Sequence, residues 1–363
     1  MEDRRVLVGM SGGVDSAAAA LLLREAGWEP VGCTLRLYDN EDVGESAEGT
    51  CCSLEAVEDA RNACRRLGMD HYTFNFTRPF REYVLDDFVA GYREGQTPNP
   101  CIRCNRFVKF DALLRRAEEL GIGHIATGHY ARVDYDEGLD RWRLLRGKDR
   151  RKDQSYVLYP LPQKVLRRLL LPVGEYDKAA VRAMAEAAGF ACANRPDSQD
   201  ICFVPDGDYA GFLQRYGGVE LVPGDFVDEA GRVLGRHRGL PCYTTGQRRG
   251  LGVSADRPLY VLRKDLSRNQ VVLGGEERLY SRVVRAKEFH WISLSPRGPL
   301  RVTAKTRYSQ TESPGTLYPE RDGAVRVEFD EPQRAVTGGQ SLVCYHGDWG
   351  ELVVGGGIIT GAE

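Results

Sequence analysis

One short stretch near the amino terminus limits what this chain can fold into. An apolar run, Val6 to Met10, passes through a glycine loop into the alanine-rich segment Ala17 to Ala26, which Gly27 ends. The run is short and β-branched and predicts a buried strand, whereas the alanine-rich segment has high helix propensity. Glycines between a strand and a helix let the backbone approach an anion, and the amides at the helix start supply donors. The stretch therefore predicts a phosphate-binding loop.

The side chains of this loop add chemistry to that geometry. Ordinary βα turns also contain glycines, but Ser11, Asp15 and Ser16 place two hydroxyls and a carboxylate on this turn. The loop sequence from Ser11 to Ser16 matches neither the Walker pattern nor the dinucleotide-binding fingerprint. It resembles the pyrophosphate loop of the ATP pyrophosphatase superfamily. That resemblance implies adenylation of a carbonyl oxygen with release of pyrophosphate.

Composition sets wide bounds on the class of protein. The 363 residues are 42% hydrophobic and 28% charged, which is typical of a globular chain of two or three domains. No apolar stretch reaches membrane-spanning length and Met1 to Arg5 is no signal peptide, so we expect a cytoplasmic protein without a membrane partner. The formal net charge of −2 gives no global sign of nucleic-acid binding.

Strands and helices alternate through the first half of the chain. The predicted strands after the first are Val31 to Leu37, His71 to Phe76 and Ile122 to Thr127; the predicted helices between them are Leu54 to Leu67 and Phe107 to Leu120. This order predicts a mostly parallel sheet covered on both faces, with ligands at the carboxyl ends of the strands. Gly128 and His129 then share an edge with the glycine loop. Taken alone, His129 is equally a satisfied histidine at that edge, and Leu35 is an adenine wall or a core residue.

Ten cysteines in an intracellular chain suggest metal or redox chemistry more than disulfides. Cys101 and Cys104 form a C-x-x-C after two prolines, a spacing that suits zinc, an iron–sulfur cluster or a redox dithiol. A helix is expected to start at Asn105. A helix is also predicted from Lys178 to Ala188, with Asp177 as its cap. The polar run Asp197 to Phe203, which follows this helix, contains a further cysteine, Cys202. Incidental thiols are the alternative.

Local basic runs are compatible with RNA. Arg141 to Lys152 holds seven basic residues in twelve, against one Asp. Such a run is either a solvated face or a surface that follows phosphates. Two smaller basic groups are Gln247 to Arg249 and the strand face of Arg301, Lys305 and Arg307.

The second half of the chain changes character. Tyr209 to Gly274 is rich in glycine and proline, and Tyr280 to Glu363 shows period-two strands that predict a closed β-barrel. We therefore predict an α/β domain that carries the phosphate-binding loop (1–205), a small central α+β domain (206–276) and a C-terminal β-barrel with a basic strand face (277–363).

Several strings in the same order resemble the tRNA-specific 2-thiouridylases, over essentially the whole chain. They are the Ser11 loop, Pro98-Asn99-Pro100 with Cys104-Asn105, Ala126 to Tyr130, Asp153 to Tyr156, Asp197 to Phe203, Thr245 to Gly250 and Lys305 to Tyr308. The resemblance implies a tRNA-uridine 2-sulfurtransferase that replaces the C2 oxygen of the wobble uridine in tRNAs for Lys, Glu and Gln. It implies ATP with Mg²⁺, and a sulfurtransferase such as a cysteine desulfurase or a sulfur relay protein as the sulfur donor.

The resemblance also implies residue roles. The ATP-binding positions are Gly9, Met10, Ser11, Gly12, Gly13, Val14, Asp15, Ser16, Leu35 and Gly128. The positions that meet the tRNA, including its target base, are Asn99, Pro100, Cys101, His129, Lys152, Asp153, Gln154, Arg307, Tyr308 and Gln340. Cys104 matches the nucleophile and Cys202 the cysteine that carries a persulfide.

Cys101 stands where many family members carry an Asp that is their proposed acid–base group. We therefore favour a [4Fe–4S] cluster held by Cys101, Cys104 and Cys202, with the fourth iron open to bind sulfur. The rival is a Cys202 persulfide with Cys104 as its partner. A zinc site that adds Cys51 or Cys52 is a weaker option.

Two other functions use the same features. A ligase of the argininosuccinate synthetase kind would adenylate a small carbonyl compound with the same loop. A non-catalytic, metal-bound RNA-binding protein would keep the cysteines and the basic surface. Pyrophosphate release that depends on tRNA distinguishes the thiouridylase from both.

Overall fold

The computed structural model describes residues 4–43, 54–194, 201–348 and 350–363. Cys51, Cys52 and Asp197 to Asp200 lie outside these ranges, so the zinc option and most of that polar run cannot be placed. The strands of the first domain are Arg5–Gly9 (β1), Glu29–Arg36 (β2), His71–Asn75 (β3), His124–Thr127 (β4), Ala131–Asp136 (β5), Arg141–Arg146 (β6) and Leu169–Leu170 (β7).

The first domain is built on a parallel sheet, as the alternating pattern predicts. The strand order is β3-β2-β1-β4-β7, with β1 in the middle and every neighbouring pair parallel. Strand β1 is buried because Val6, Leu7 and Val8 are covered on both faces. The crossover order brings the loop after β1 beside the residues that follow β4, at the carboxyl edge of the sheet.

Helices cover this sheet on both faces. The helices of the first domain are Val14–Glu25 (α1), Asn40–Val43 (α2), Leu54–Arg66 (α3), Thr77–Phe80 (α4), Asp86–Arg93 (α5), Pro100–Arg103 (α6), Phe110–Glu119 (α7), Ser155–Leu158 (α8), Gln163–Leu166 (α9) and Lys178–Ala187 (α10). Two π-helical turns, Arg81–Leu85 and Cys104–Lys109, join neighbouring helices. No helix among the described residues has both the length and the apolar composition needed to span a bilayer.

The small central domain follows helix Tyr209–Arg215 (α11). Its strands are Gly224–Val227 (β8), Val233–His237 (β9), Tyr260–Asp265 (β10) and Gln270–Gly274 (β11). They form a sheet in the order β10-β11-β8-β9 around a core that includes Phe226, Tyr243 and Val261. This α+β arrangement agrees with the sequence prediction.

The C-terminal domain is the predicted closed barrel. Its strands are Tyr280–Trp291 (β12), Leu300–Lys305 (β13), Ser313–Pro319 (β14), Val325–Arg334 (β15), Ser341–His346 (β16) and Val353–Ala362 (β17). They close in the order β12-β15-β14-β13-β16-β17. In β13, Val302 and Ala304 are buried while Arg301 is exposed, so the strand alternates as period two requires.

The barrel packs directly on the first domain. Tyr156 donates its hydroxyl hydrogen to the backbone oxygen of Ser341 at 2.8 Å, and both Tyr156 and Tyr345 lie in a core cluster shared by the two domains. Arg141 extends this contact, because its guanidinium donates to the backbone oxygens of Trp291 and Ile292. The first domain and the barrel are therefore one continuous packed body at this interface.

Candidate active site

The glycine loop after β1 is held in shape by its own serines. Ser16 Oγ donates to the backbone oxygen of Gly13 at 2.9 Å, while the Ser11 amide donates to Ser16 Oγ at 3.2 Å. Ser11 Oγ lies 3.3 Å from Ser16 Oγ and accepts from the Gly13 amide at 3.4 Å. Gly13 caps helix α1 without a side chain over its first turn, so the helix dipole faces the loop directly. The geometry is that of an anion-binding turn.

Two glycines let neighbouring backbone segments touch this loop. Gly12 has a φ of +75°, and a Cβ there would lie 2.2 Å from the backbone oxygen of Ala56 in α3. Gly128 follows strand β4, and a Cβ there would lie 2.6 Å from the carbonyl carbon of Asp15 and 2.7 Å from the Ser16 nitrogen. Gly128 thus belongs to the site because only a bare backbone fits against the start of α1.

Replacing Gly128 by alanine should weaken ATP binding by about tenfold or more. The new methyl group can be accommodated only by moving the Asp15–Ser16 backbone, and such overpacking destabilises a fold by about 1–3 kcal/mol. Isothermal titration with a non-hydrolysable ATP analogue measures the effect. Gly361→Ala is the matched control, because a Cβ at Gly361 meets nothing within 4 Å. Equal ATP affinities for the two variants would contradict the role given to Gly128.

Asp15 is not an isolated carboxylate. The Lys178 ammonium lies 2.7 Å from Asp15 Oδ1 and 2.9 Å from Oδ2, and the Tyr130 hydroxyl donates to Oδ1 at 2.7 Å. Only 10% of the Lys178 side chain is exposed. A lysine in the first turn of a helix opposes the helix dipole, so its place at the start of α10 is explained by the ion pair with Asp15. The loop therefore carries a carboxylate that is paired with a largely buried ammonium.

Sequence reasoning missed both Lys178 and Tyr130. Asp177 signals the start of α10 and caps it as predicted, by accepting from the Ala180 amide at 2.7 Å. Nothing in the sequence shows that the next residue reaches a loop more than 160 positions away. Tyr130 follows Gly128 by two residues, which places it at the same sheet edge as the loop, but no pattern in the sequence pairs it with Asp15.

His129 lies beside the site as a neutral ring. Its Nδ1 is 2.8 Å from Thr127 Oγ1, and its ring packs against Phe110 with centroids 5.5 Å apart. Burial, and then the nearby Lys109 ammonium, lower the pKa of His129 to about 3. With its pKa lowered in this way, the His129 ring is neutral near pH 7.

His129 should make the fold less stable in acid. Its folded pKa lies below the ordinary value of 6.5, so between pH 6.5 and about 3 the unfolded chain binds a proton that the folded chain does not. This contribution is complete above pH 6.5 and is lost as the pH falls. Urea denaturation at several pH values should show a shallower pH dependence for His129→Gln than for the unchanged protein. Identical slopes would contradict the buried neutral state.

Leu35 lies at the carboxyl end of β2, next to the loop. It is half-buried and packs against two core clusters, which suits either a core residue or a wall for a base. Thr34 beside it donates to the backbone oxygen of Met10 at 2.9 Å. This bond fixes β2 against the first residue after β1.

The C-x-x-C segment begins a helix earlier than predicted. The expected start at Asn105 is wrong: Asn99 caps the helix by accepting from the Cys101 amide at 3.1 Å, and Pro100 occupies its first position. The helix then continues through the π-helical turn Cys104–Lys109 into α7. Such turns are rare and are often found at functional sites.

The three cysteines have different surroundings. Cys104 is buried in a cluster that also contains Phe80, Phe88 and Phe203, here called the phenylalanine cluster, and Cys202 packs against the same cluster. The Tyr38 hydroxyl donates to the backbone oxygen of Cys202 at 2.9 Å. This contact ties the Cys202 segment to the chain just after β2. Cys104 and Cys202 thus border the same apolar cluster.

Cys101 is exposed and faces a different neighbourhood. Burial raises the pKa of Tyr308, and the charges of Asp153 and Cys101 raise it further, so Cys101 lies near this barrel tyrosine. Cys101 therefore lies on the side of the helix that faces Tyr308. In the described part of the chain, no three His, Cys, Asp or Glu side chains come close enough together to hold a metal ion.

The segment before this helix is held by the other two domains. The Thr97 amide donates to the backbone oxygen of Gly338 at 3.0 Å, and Gln340 Nε2 donates to the backbone oxygen of Thr97 at 2.6 Å. Thr97 Oγ1 also lies 3.5 Å from Thr244 Oγ1 of the small domain. Gln340, which was expected to touch tRNA, thus holds the Thr97 segment that leads to Cys101.

Other expected tRNA contacts also make internal bonds. Asp153 is buried and accepts from the amides of Gly147 and Ser155, and Gln154 Oε1 accepts from the Tyr130 amide at 2.9 Å. Arg307 Nη2 donates to Thr337 Oγ1 at 2.6 Å and to the backbone oxygen of Thr245 at 3.1 Å. These hydrogen bonds join separate segments of the fold, so the residues stabilise the structure. The backbone of Lys152 likewise closes a turn onto Asp149.

The basic run Arg141 to Lys152 is largely matched by acids. Arg143 pairs with Asp134 and Asp136, Lys148 with Glu175 at 2.7 Å, and Arg150 with Glu351 at 3.5 Å. Arg146 is buried over the Tyr345 ring and pairs with Glu312. The inner half of the run therefore fastens the β5–β6 hairpin and leaves its last residues to face solvent.

Comparison with known proteins decides the family. Residues 4–206 match the family model described as the tRNA methyl transferase HUP domain, residues 210–275 its PRC-barrel domain, and residues 281–359 the aminomethyltransferase beta-barrel domain. The tRNA-specific 2-thiouridylase of Acetivibrio thermocellus is 48% identical over 361 residues, covering 99% of this chain and 100% of the relative. The chain belongs to the tRNA-specific 2-thiouridylase family.

Two more relatives carry the same description. The enzyme of Heliobacterium modesticaldum is 49% identical and covers 98% of this chain and 92% of its own length. That of Clostridioides difficile is 45% identical, with 98% of both chains covered. Membership in the family confirms the resemblance inferred from the motifs. It favours that interpretation over the ligase and the non-catalytic RNA-binding protein.

Proposed function

We propose that this chain is a cytoplasmic tRNA 2-thiouridylase. ATP, bound with Mg²⁺ at the glycine loop, adenylates the C2 oxygen of the wobble uridine in tRNAs for Lys, Glu and Gln, and sulfur then replaces that oxygen. The domains divide near residues 205 and 276, with the first domain catalytic and the barrel in contact with tRNA. The observation that carries the proposal is one catalytic domain that holds an anion-binding loop and a cysteine pair.

Packing connects the loop to the cysteines through a short series of contacts. Gly128 touches the loop backbone, the next residue, His129, packs on Phe110, and Phe110 directly follows the π-helical turn that starts at Cys104. Ligands of parallel sheets bind at the carboxyl edge where these residues meet. A uridine that reaches Cys101 can therefore present its C2 oxygen to ATP in the same cleft.

We propose that Cys202 and Cys104 carry out the sulfur transfer. A Cys202 persulfide, loaded by a cysteine desulfurase or a sulfur relay protein, attacks C2 of the adenylated uridine. A carbon–sulfur bond forms, and AMP leaves with the former C2 oxygen. The Cys104 thiolate then attacks the Cys202 sulfur, which releases 2-thiouridine and leaves a Cys104–Cys202 disulfide. A thiol reductant returns both cysteines to thiols before the next cycle.

The [4Fe–4S] cluster favoured by the sequence needs three converging sulfurs. Cys101 lies beside Tyr308, whereas Cys104 and Cys202 share the phenylalanine cluster, and the described residues form no three-ligand group. The residues as placed here do not fit the cluster. No step of the proposed mechanism therefore passes through it.

The family-model description names methyl transfer, and the relatives are named for thiolation. Methyl transfer needs no pyrophosphate loop and no cysteine pair, and this chain contains both features in one domain. The geometry of the site therefore favours thiolation.

The decisive experiment incubates purified protein with ATP, Mg²⁺, a persulfide donor and unmodified tRNA for Lys. Nucleoside mass spectrometry should detect 2-thiouridine, and pyrophosphate should appear only when tRNA is present. A tRNA in which cytidine replaces the wobble uridine is the control. Pyrophosphate released with a small amino acid in place of tRNA would support the ligase, and no ATP cleavage would support the RNA-binding protein.

A further inference from the structure

In the small domain two adjacent arginines are exposed, and no carboxylate among the described residues lies at ion-pair distance from either. Arg248 and Arg249 are exposed, and within the described residues neither makes an ion pair. By contrast, Arg236 and Arg263 of the same domain lie near Asp225 and Asp265. An uncompensated pair of adjacent cations attracts an anion more strongly than a matched pair.

The loop that carries Arg248 and Arg249 has a fixed backbone. Gln247 Oε1 accepts from the Thr244 amide and its Nε2 donates to the backbone oxygen of Arg249, both at 3.1 Å. The Gly246 amide donates to the Val261 oxygen at 2.8 Å, and the Val261 amide donates to the Gln247 oxygen at 2.9 Å. The backbone that carries the two arginines is therefore held in place before any ligand binds.

Glycines open the surface beside them. Gly250 and Gly252 have φ values of +75° and +66°, and a depression of about 410 Å³ follows, lined by Arg248 and Arg257. Asp256 also lines it, and Arg257 lies 3.6 Å from Glu277. The balance of charge in and around the depression is positive when Arg249 is included. This suits a strand of phosphodiesters more than a neutral ligand.

The same loop contacts the Thr97 segment that leads to Cys101. It starts at Thr244 and Thr245, whose side-chain and backbone oxygens lie near Thr97 and Arg307. Arg248 is four positions after Thr244, and Cys101 is four positions after Thr97, so each connection spans at most about 14 Å. An RNA arm whose base reaches Cys101 therefore passes close to this loop.

We propose that Arg248 and Arg249 bind backbone phosphates of the substrate RNA and hold the arm while one base enters the active site. The inference rests on the proposed tRNA substrate and names the surface that grips it. The partner is a phosphodiester backbone, read without regard to base sequence.

The test is the salt dependence of tRNA affinity, measured by fluorescence anisotropy. The double variant Arg248→Gln with Arg249→Gln should bind unmodified tRNA about tenfold more weakly near 0.15 M KCl. Its slope of log Kd against log salt should fall by about 1 to 2, since each lost phosphate contact removes about 0.7–0.9. The double variant to lysine should keep most of the slope because it keeps both charges.

Arg236→Gln with Arg263→Gln is the matched control, because it removes the same charge from the same domain at positions that face acids. It should leave the slope unchanged. An unchanged slope in the Arg248/Arg249 variant, or an equal change in the control, would overturn the inference. ATP affinity checks that each variant is folded. If the unchanged protein binds tRNA without salt dependence or forms no 2-thiouridine, the proposed function itself fails.

Discussion

Cys202→Ser and Cys104→Ser should each abolish 2-thiouridine formation while tRNA-dependent pyrophosphate release continues. A hydroxyl can neither carry a persulfide nor displace sulfur, so we expect a loss of about 10³-fold or more in thiolation. Adenylation uses the glycine loop, which neither substitution touches. Nucleoside mass spectrometry and a pyrophosphate assay on the same reaction measure the two steps separately.

Cys101→Ser makes this experiment selective. Cys101 lies outside the phenylalanine cluster, so this variant should keep most of its thiolation activity. Cys242→Ser, in the small domain, controls for loss of a half-buried thiol. If Cys101→Ser is as inactive as the other two and the unchanged protein binds iron, a cluster held by three cysteines replaces the persulfide mechanism.

Asp15→Ala should abolish adenylation and leave tRNA affinity nearly unchanged. The substitution removes a carboxylate from the loop and leaves the largely buried Lys178 ammonium without this partner. We expect tRNA-dependent pyrophosphate release to fall by about 100-fold or more. We also expect a loss of about 1–3 kcal/mol in the free energy of unfolding, since one third of the Asp15 side chain is exposed. Turnover that survives would refute the assignment of the loop.

Lys178→Met tests the other half of the ion pair. Without the ammonium, the Asp15 charge is uncompensated next to an incoming triphosphate, so the KM for ATP should rise by about tenfold. The double variant Asp15→Asn with Lys178→Met should lose less free energy of unfolding than the two single variants lose in sum, because the residues are in contact. Additive costs would show that the pair is not coupled.

The local patterns of the sequence predicted the fold well. The strand, loop and helix at Val6 to Ala26, the parallel sheet and the closed barrel follow from hydrophobic periodicity and turn residues. The cap at Asp177 and the alternation along β13 were also correct. Each depends on residues that are close together in the chain.

What depends on distant contacts could not be predicted. The helix that contains Cys101 starts at Pro100 and is capped by Asn99, and the C-x-x-C spacing alone did not indicate this start. The ion pair of Lys178 with Asp15 and the internal bonds of Asp153 and Gln154 depend on how separate segments pack. Charge counting along Arg141 to Lys152 likewise missed the acids that match it, since those acids lie elsewhere in the chain.

The bond from Gln340 to Thr97 joins residues 243 positions apart. During translation the glycine loop leaves the ribosome long before the barrel exists. A partial chain that ends before Gly338 therefore lacks the anchor of the segment that leads to Cys101. That segment can take its final position only after the barrel has been synthesised.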